Sequence, residues 1–130
     1  MYVLIVDDNM SNLFVLKAML GKMKIKYETA SNGEEAVNAV LDKGMNCNFT
    51  LILMDINMPV MNGIQASKKI MSSYDSKLIP YIPIVAVSAQ GDESIKGEAF
   101  EAGMQEFAEK PISKQKLEHI ISKYEGIVNQ

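Results

Sequence analysis

The run Tyr2-Val3-Leu4-Ile5-Val6-Asp7-Asp8-Asn9 decides the fold. Five apolar residues in succession, with no polar alternation, describe a strand buried on both faces, the habit of parallel sheets covered by helices. The run stops at two carboxylates, so the strand leaves the interior at a charged edge. The same pattern returns at 49–54, followed by Asp55, and at 82–87, followed by Ser88. Residues 25–30 and 106–108 read as two more strands, the first mixed and the second short and polar, which places both toward sheet edges. Lys110 follows the last of them. Leu13, Leu16, Leu20 and Met23 recur at helical spacing, as do Ala36, Val37, Val40 and Leu41. Further helices are expected over 64–73, 92–102 and 114–124, the last after a Ser113 N-cap. Gly21, Gly44 and Gly103 stand where helices could stop. Gly97 weakens the fourth helix by about 1 kcal/mol relative to Ala, so that helix is expected to be the most mobile. The turn-rich stretch 72–83 reads as a surface loop. The whole is a five-fold βα alternation.

With 130 residues, 48% of them hydrophobic and 22% charged, the chain fits a single domain over residues 1–130. Its 13 cations are all Lys, its 16 acids leave a net charge of -3, and Arg is absent. A nucleic-acid surface, which favours basic patches and bidentate Arg donors, is not expected. Cys47 is the only cysteine, so no internal disulfide can form, and a reducing cytoplasmic setting is expected. The apolar runs are too short to span a bilayer, and no direct membrane contact is expected.

The chemistry is read from the strand ends. In open α/β sheets ligands bind at the C-terminal edge of the strands, and Asp7, Asp8, Asp55, Ser88 and Lys110 all fall there. Clustered carboxylates repel one another and attract a hard cation such as Mg2+. The alternative is that Asp7 and Asp8 cap the first helix and Asp55 the third. Three acids and one Lys at matching ends of different strands favour a built site.

The segments Val3 to Asn9, Leu53-Met54-Asp55-Ile56-Asn57-Met58-Pro59-Val60-Met61-Asn62-Gly63, Pro83 to Ala89, and Gly103-Met104 through Lys110-Pro111-Ile112 resemble the receiver domain of two-component response regulators. The likeness runs over essentially the whole chain. It implies a flavodoxin-like (βα)5 fold, a doubly wound parallel five-stranded sheet of order 2-1-3-4-5 with helices on both faces. It implies Asp55 as the phosphoacceptor that takes a phosphoryl group from a phosphohistidine. Mg2+ (or Mn2+) would be held by the Asp8 and Asp55 side chains, the Asn57 backbone carbonyl and, through water, Asp7. Lys110 would contact Asp55 and the phosphoryl oxygens, with Lys110-Pro111 resembling the family's cis pair. Ser88 and Phe107 would be the switch residues, Phe107 turning inward as Ser88 moves; the alternative for Phe107 is simple packing on a short strand. Asn57 and Gln90 stand where they could steer an attacking water.

The partner implied is a histidine kinase or histidine phosphotransfer domain, docking on the first helix, where Asn12, Leu13 and Leu16 are expected to offer a partly apolar patch. The motifs look most like receivers of hybrid histidine kinases, with a stand-alone regulator as the alternative. Nothing is left over for DNA binding or output, so the chain reads as a complete single-domain regulator or a piece of a larger kinase, a signalling domain that catalyses only its own phosphorylation and dephosphorylation. A monomer or weak dimer is expected, because the surface bearing Glu98, Glu101, Glu106 and Lys116 has no Arg for paired dimer contacts. An aspartate-nucleophile phosphatase of the haloacid-dehalogenase kind would want Asp-x-Asp after the first strand and a cap domain. A degenerate receiver would lack acceptor, metal or Lys positions, and all are filled. His119, mid-helix and remote from the acids, reads as a surface or packing residue.

Overall fold

The computed structural model describes residues 1–89, 91 and 93–128. Five strands, β1 (Tyr2–Val6), β2 (Lys26–Ala30), β3 (Leu51–Asp55), β4 (Ile84–Ser88) and β5 (Glu106–Glu109), alternate with helices α1 (Met10–Lys22), α2 (Gly33–Leu41), α3 (Gly63–Asp75), α4 (Glu93–Glu101) and α5 (Lys114–Val128). The sheet is parallel throughout and ordered β2-β1-β3-β4-β5.

Pleating explains why the central strands are continuously apolar. Val3 and Ile5 of β1 pack into one apolar cluster with Leu13, Leu16 and Leu20 of α1 and Leu117, Ile120 and Ile121 of α5. Leu4 and Val6 face the other way, toward Ala36, Val37 and Val40 of α2 and Ala66 and Ile70 of α3. Every residue of β3 and β4 is buried. Both weak strands, β2 and β5, lie at the edges, as their mixed composition predicts.

Strand limits move toward the charged edge. Thr50 spends its hydroxyl and its amide on the backbone of Tyr2, and the β1–β3 register starts at Leu51 instead of Phe49. Pro83 has no amide to give the ladder, so β4 begins at Ile84 instead of Ile82. Asp55 and Ser88 are therefore the last residues of their strands, not the first residues after them.

Gly44 and Gly103 adopt positive φ of 55° and 95° after their helices, as expected, but α1 runs through Gly21 and turns at Lys24, φ 59°. Helix α3 extends to Asp75, which shortens the loop read over 72–83. The Ser113 hydroxyl accepts from the Lys116 amide at 3.0 Å, capping α5. The expected start of α4 at Asp92 lies outside the described residues. Ala99 is the only residue of α4 buried outright. Among the described residues no helix is long and apolar enough to cross a membrane.

Candidate functional site

Two parallel strands, β1 and β3, deliver three acids to one edge. Asp7 continues β1, its amide bonded to Ala30 of β2, and Asp55 ends β3. Both are buried, at 2% and 3% exposure, while Asp8 is exposed. One carboxylate oxygen of each of Asp7, Asp8 and Asp55 lies within 4.8 Å of the others.

Lys110 enters from β5. Its amide donates to the Ser88 carbonyl at 2.9 Å, and the Lys110-Pro111 peptide is cis. The ammonium Nζ reaches Asp7 Oδ2 at 2.9 Å and Asp55 Oδ2 at 3.1 Å. Burial pushes the Asp55 carboxyl up to about 6, and Asp7 adds to the rise while Lys110 opposes it. Burial alone would depress the Lys110 ammonium, but its bonds to Asp7 and Asp55 outweigh burial and raise it.

Helix capping does not explain these acids. Asn9 caps α1, its side chain accepting from the Ser11 and Asn12 amides. Asn62 caps α3 in a reciprocal arrangement with Gln65. With three carboxylates and one ammonium, all ligand atoms are hard oxygens and the charge is unbalanced, a donor set that fits a hard divalent cation such as Mg2+.

Ser88, fully buried, ends β4 one residue past Val87, the register partner of Asp55. Phe107 is half-buried beside Ala86, packed against the α2/α3 cluster, with Lys96 Nζ 5.6 Å from its ring centroid. Asn57 lies in the exposed turn after β3, and His119 is exposed on α5. Gln90 lies outside the described residues.

The expected docking patch needs correcting. Leu13 and Leu16 are 5% and 8% exposed, because they belong to the stripe that packs on the sheet. The outward face of α1 instead shows Met10, Phe14 and Val15, exposed by 74%, 72% and 47%. The signal was present: positions between the buried Leu13, Leu16 and Leu20 must face solvent. Sequence reading also missed the donor from Asn12 Nδ2 to Asp7 Oδ2 at 3.3 Å. Between α1 and the 110–112 segment opens a cavity of about 90 Å3, lined by Asn12, Val15, Leu16, Lys110 and Ile112 among others.

Residues 3–122 match the family described as response regulator receiver domain. The chain is 39% identical over 121 residues to two-component response regulator 24 of Arabidopsis thaliana, covering 92% of this chain and 81% of that one. It also matches receiver domains within sensor and hybrid histidine kinases, spanning 5% to 13% of their length. Among solved structures it resembles the Ssk1 receiver domain of Saccharomyces cerevisiae, co-crystallised with the histidine phosphotransfer protein Ypd1 (TM-score 0.85, 32% identity, 95% and 88% of the two chains). A second likeness is the receiver domain of the Pseudomonas aeruginosa sensor histidine kinase PA1611, which has a magnesium ion in its active-site cleft (TM-score 0.82, 26% identity, 96% and 97% coverage).

Proposed function

Because the chain belongs to the response regulator receiver domain family, we propose that Asp55 is its phosphoacceptor, phosphorylated from a phosphohistidine in a partner protein. The observation that carries this reading is one buried carboxylate, Asp55, held 3.1 Å from Lys110 amid two further acids. An Asp55 carboxylate oxygen attacks phosphorus, the P–N bond to the partner imidazole breaks, the imidazole nitrogen takes up a proton, and an acyl phosphate forms on Asp55. Phosphoryl transfer depends on alignment and on neutralising the phosphoryl oxygens. Lys110 supplies positive charge from one side, already aimed at Asp55.

Asp8 and Asp55, with the Asn57 carbonyl, would hold Mg2+ or Mn2+, and Asp7 would meet it through water. The bound cation would neutralise charge on the transferring group. A dianionic phosphoryl group beside Ser88 and Lys110 then draws them inward. Ser88 shares a backbone bond with Lys110, so movement of either is felt by the β4 and β5 ends and by Phe107.

The partner is a histidine kinase or histidine phosphotransfer domain, which we place on Met10, Phe14 and Val15. The chain acts as a signalling domain that catalyses only its own phosphorylation and dephosphorylation, cytoplasmic, as a monomer or weak dimer, without nucleic-acid contact. Relatives include both stand-alone regulators and hybrid kinases; the motif wording favours the hybrid-kinase setting.

Incubation with a small acyl phosphate and Mg2+ should add one phosphoryl group, and Asp55→Asn or Asp55→Ala should abolish it. Full labelling of both variants would overturn the assignment.

A further inference from the structure

Helices α1 and α3 both begin at an Asn N-cap, yet their third residues do different things. In α3, Gln65 reaches back to the Asn62 amide, completing a reciprocal cap. In α1, the Asn9 amide is instead taken by Asp7 Oδ1 at 2.9 Å. The residue equivalent to Gln65 is Asn12, and its side chain turns to Asp7 Oδ2 at 3.3 Å. A capping box has been rewired through an acid of the candidate site.

Asp7 is consequently gripped from three directions: the Asn9 amide on Oδ1, and Asn12 Nδ2 together with Lys110 Nζ on Oδ2. Asp55, by comparison, meets Lys110 Nζ through one oxygen, Oδ2, at 3.1 Å. The carboxylate beside the acceptor is thus held both by the start of α1 and by Lys110.

We infer that Asn12 is a positioning residue: its amide locks the Asp7 carboxylate in the orientation that receives Lys110 and faces the cation site. This rests on the phosphoacceptor reading above. Partners that orient ligand-bearing groups are worth roughly tenfold to a hundredfold in metal affinity. The bond here is long and Asn12 is half-buried, so the lower end applies.

The experiment titrates MgCl2 into the wild type, Asn12→Ala and Asn9→Ala by calorimetry, with thermal midpoints measured alongside. Asn9→Ala removes the two bonds that its side chain accepts at the start of α1 but leaves Asn12 facing Asp7. If Asn12 positions Asp7, Asn12→Ala weakens Mg2+ binding about tenfold, whereas Asn9→Ala lowers the midpoint more and weakens binding less than about threefold. Equal weakening by both variants would reduce Asn12 to a helix-start residue and overturn the inference. So would an Asn12→Ala affinity within about twofold of wild type. A wild type that binds Mg2+ but takes no phosphoryl group would sink the phosphoacceptor reading alone, and one that binds no Mg2+ would sink both.

Discussion

The backbone of Gly63 passes so close to that of Asp55 that a Cβ on Gly63 would fall 2.2 Å from the Asp55 carbonyl oxygen. The Gly63 amide also donates to the Ile56 carbonyl at 2.9 Å. The first residue of α3 is thus pressed onto the end of β3, and the backbone that carries Asp55 cannot shift without α3. Gly63→Ala must push the two apart. The expected loss is about 3 kcal/mol in a denaturant melt, with slower labelling by a small phosphodonor. Coincident melts of the two proteins would show that the close approach is dispensable.

Asp55 itself should work against stability when no cation is bound. Its carboxyl is pushed up to about 6, first by burial and then by Asp7, against about 3.9 in an unfolded chain. A raised carboxyl binds its proton more tightly when folded. The cost of Asp55 is therefore absent below about pH 4 and develops as pH rises through about 6. With chelator present near neutral pH, Asp55→Asn should be more stable than wild type by on the order of 2 kcal/mol. The gap should close as pH falls through the range between these two values. A pH-independent gap would place the stabilisation elsewhere.

Partner docking can be separated from chemistry on α1. Phe14 is 72% exposed on the outward face of the helix, so Phe14→Asp should leave the fold and small-donor labelling intact. Transfer from a cognate phosphohistidine protein should slow by tenfold or more, given that truncating an interface anchor costs roughly 2 kcal/mol. Leu13→Asp is the contrasting case, since Leu13 is 5% exposed among the α1/α5 core residues. That variant should lose both reactions through unfolding, visible as a collapsed thermal midpoint. Unimpaired transfer by Phe14→Asp would move the docking site off this face.

Much of this was legible because the relevant signals are local in sequence. An unbroken apolar run ending in an acid fixes a buried parallel strand and its charged end together, which is why Asp7, Asp55 and the edge placement of β2 and β5 could be read directly. The boundaries were less legible, since Thr50 and Pro83 set them through backbone bonding to neighbouring strands. The docking face was misread by giving Leu13 and Leu16 two incompatible tasks: a helix residue that packs on the sheet cannot also meet a partner. The Asn12 to Asp7 bond escaped notice because Asn at the start of a helix ordinarily signals a cap, and only the geometry shows that Asn9 already fills that role.

Gly97 offers the reverse of Gly63. It sits inside the nine-residue α4, has no positive φ, and a Cβ there would meet nothing within 4 Å. With only Ala99 of α4 buried outright, the helix gains little from packing, so its intrinsic propensity counts for more than in α1 or α5. Gly97→Ala should stabilise α4 by about 0.5–1 kcal/mol, read as slower hydrogen exchange of its amides with little change in the other helices. Because α4 follows the Ser88 end of β4, a stiffer α4 should also resist the inward movement of Ser88 proposed on phosphorylation. Small-donor labelling should then slow modestly at unchanged Mg2+ affinity. Faster exchange in α4 would mean that Gly97 serves the helix in a way its open surroundings do not reveal.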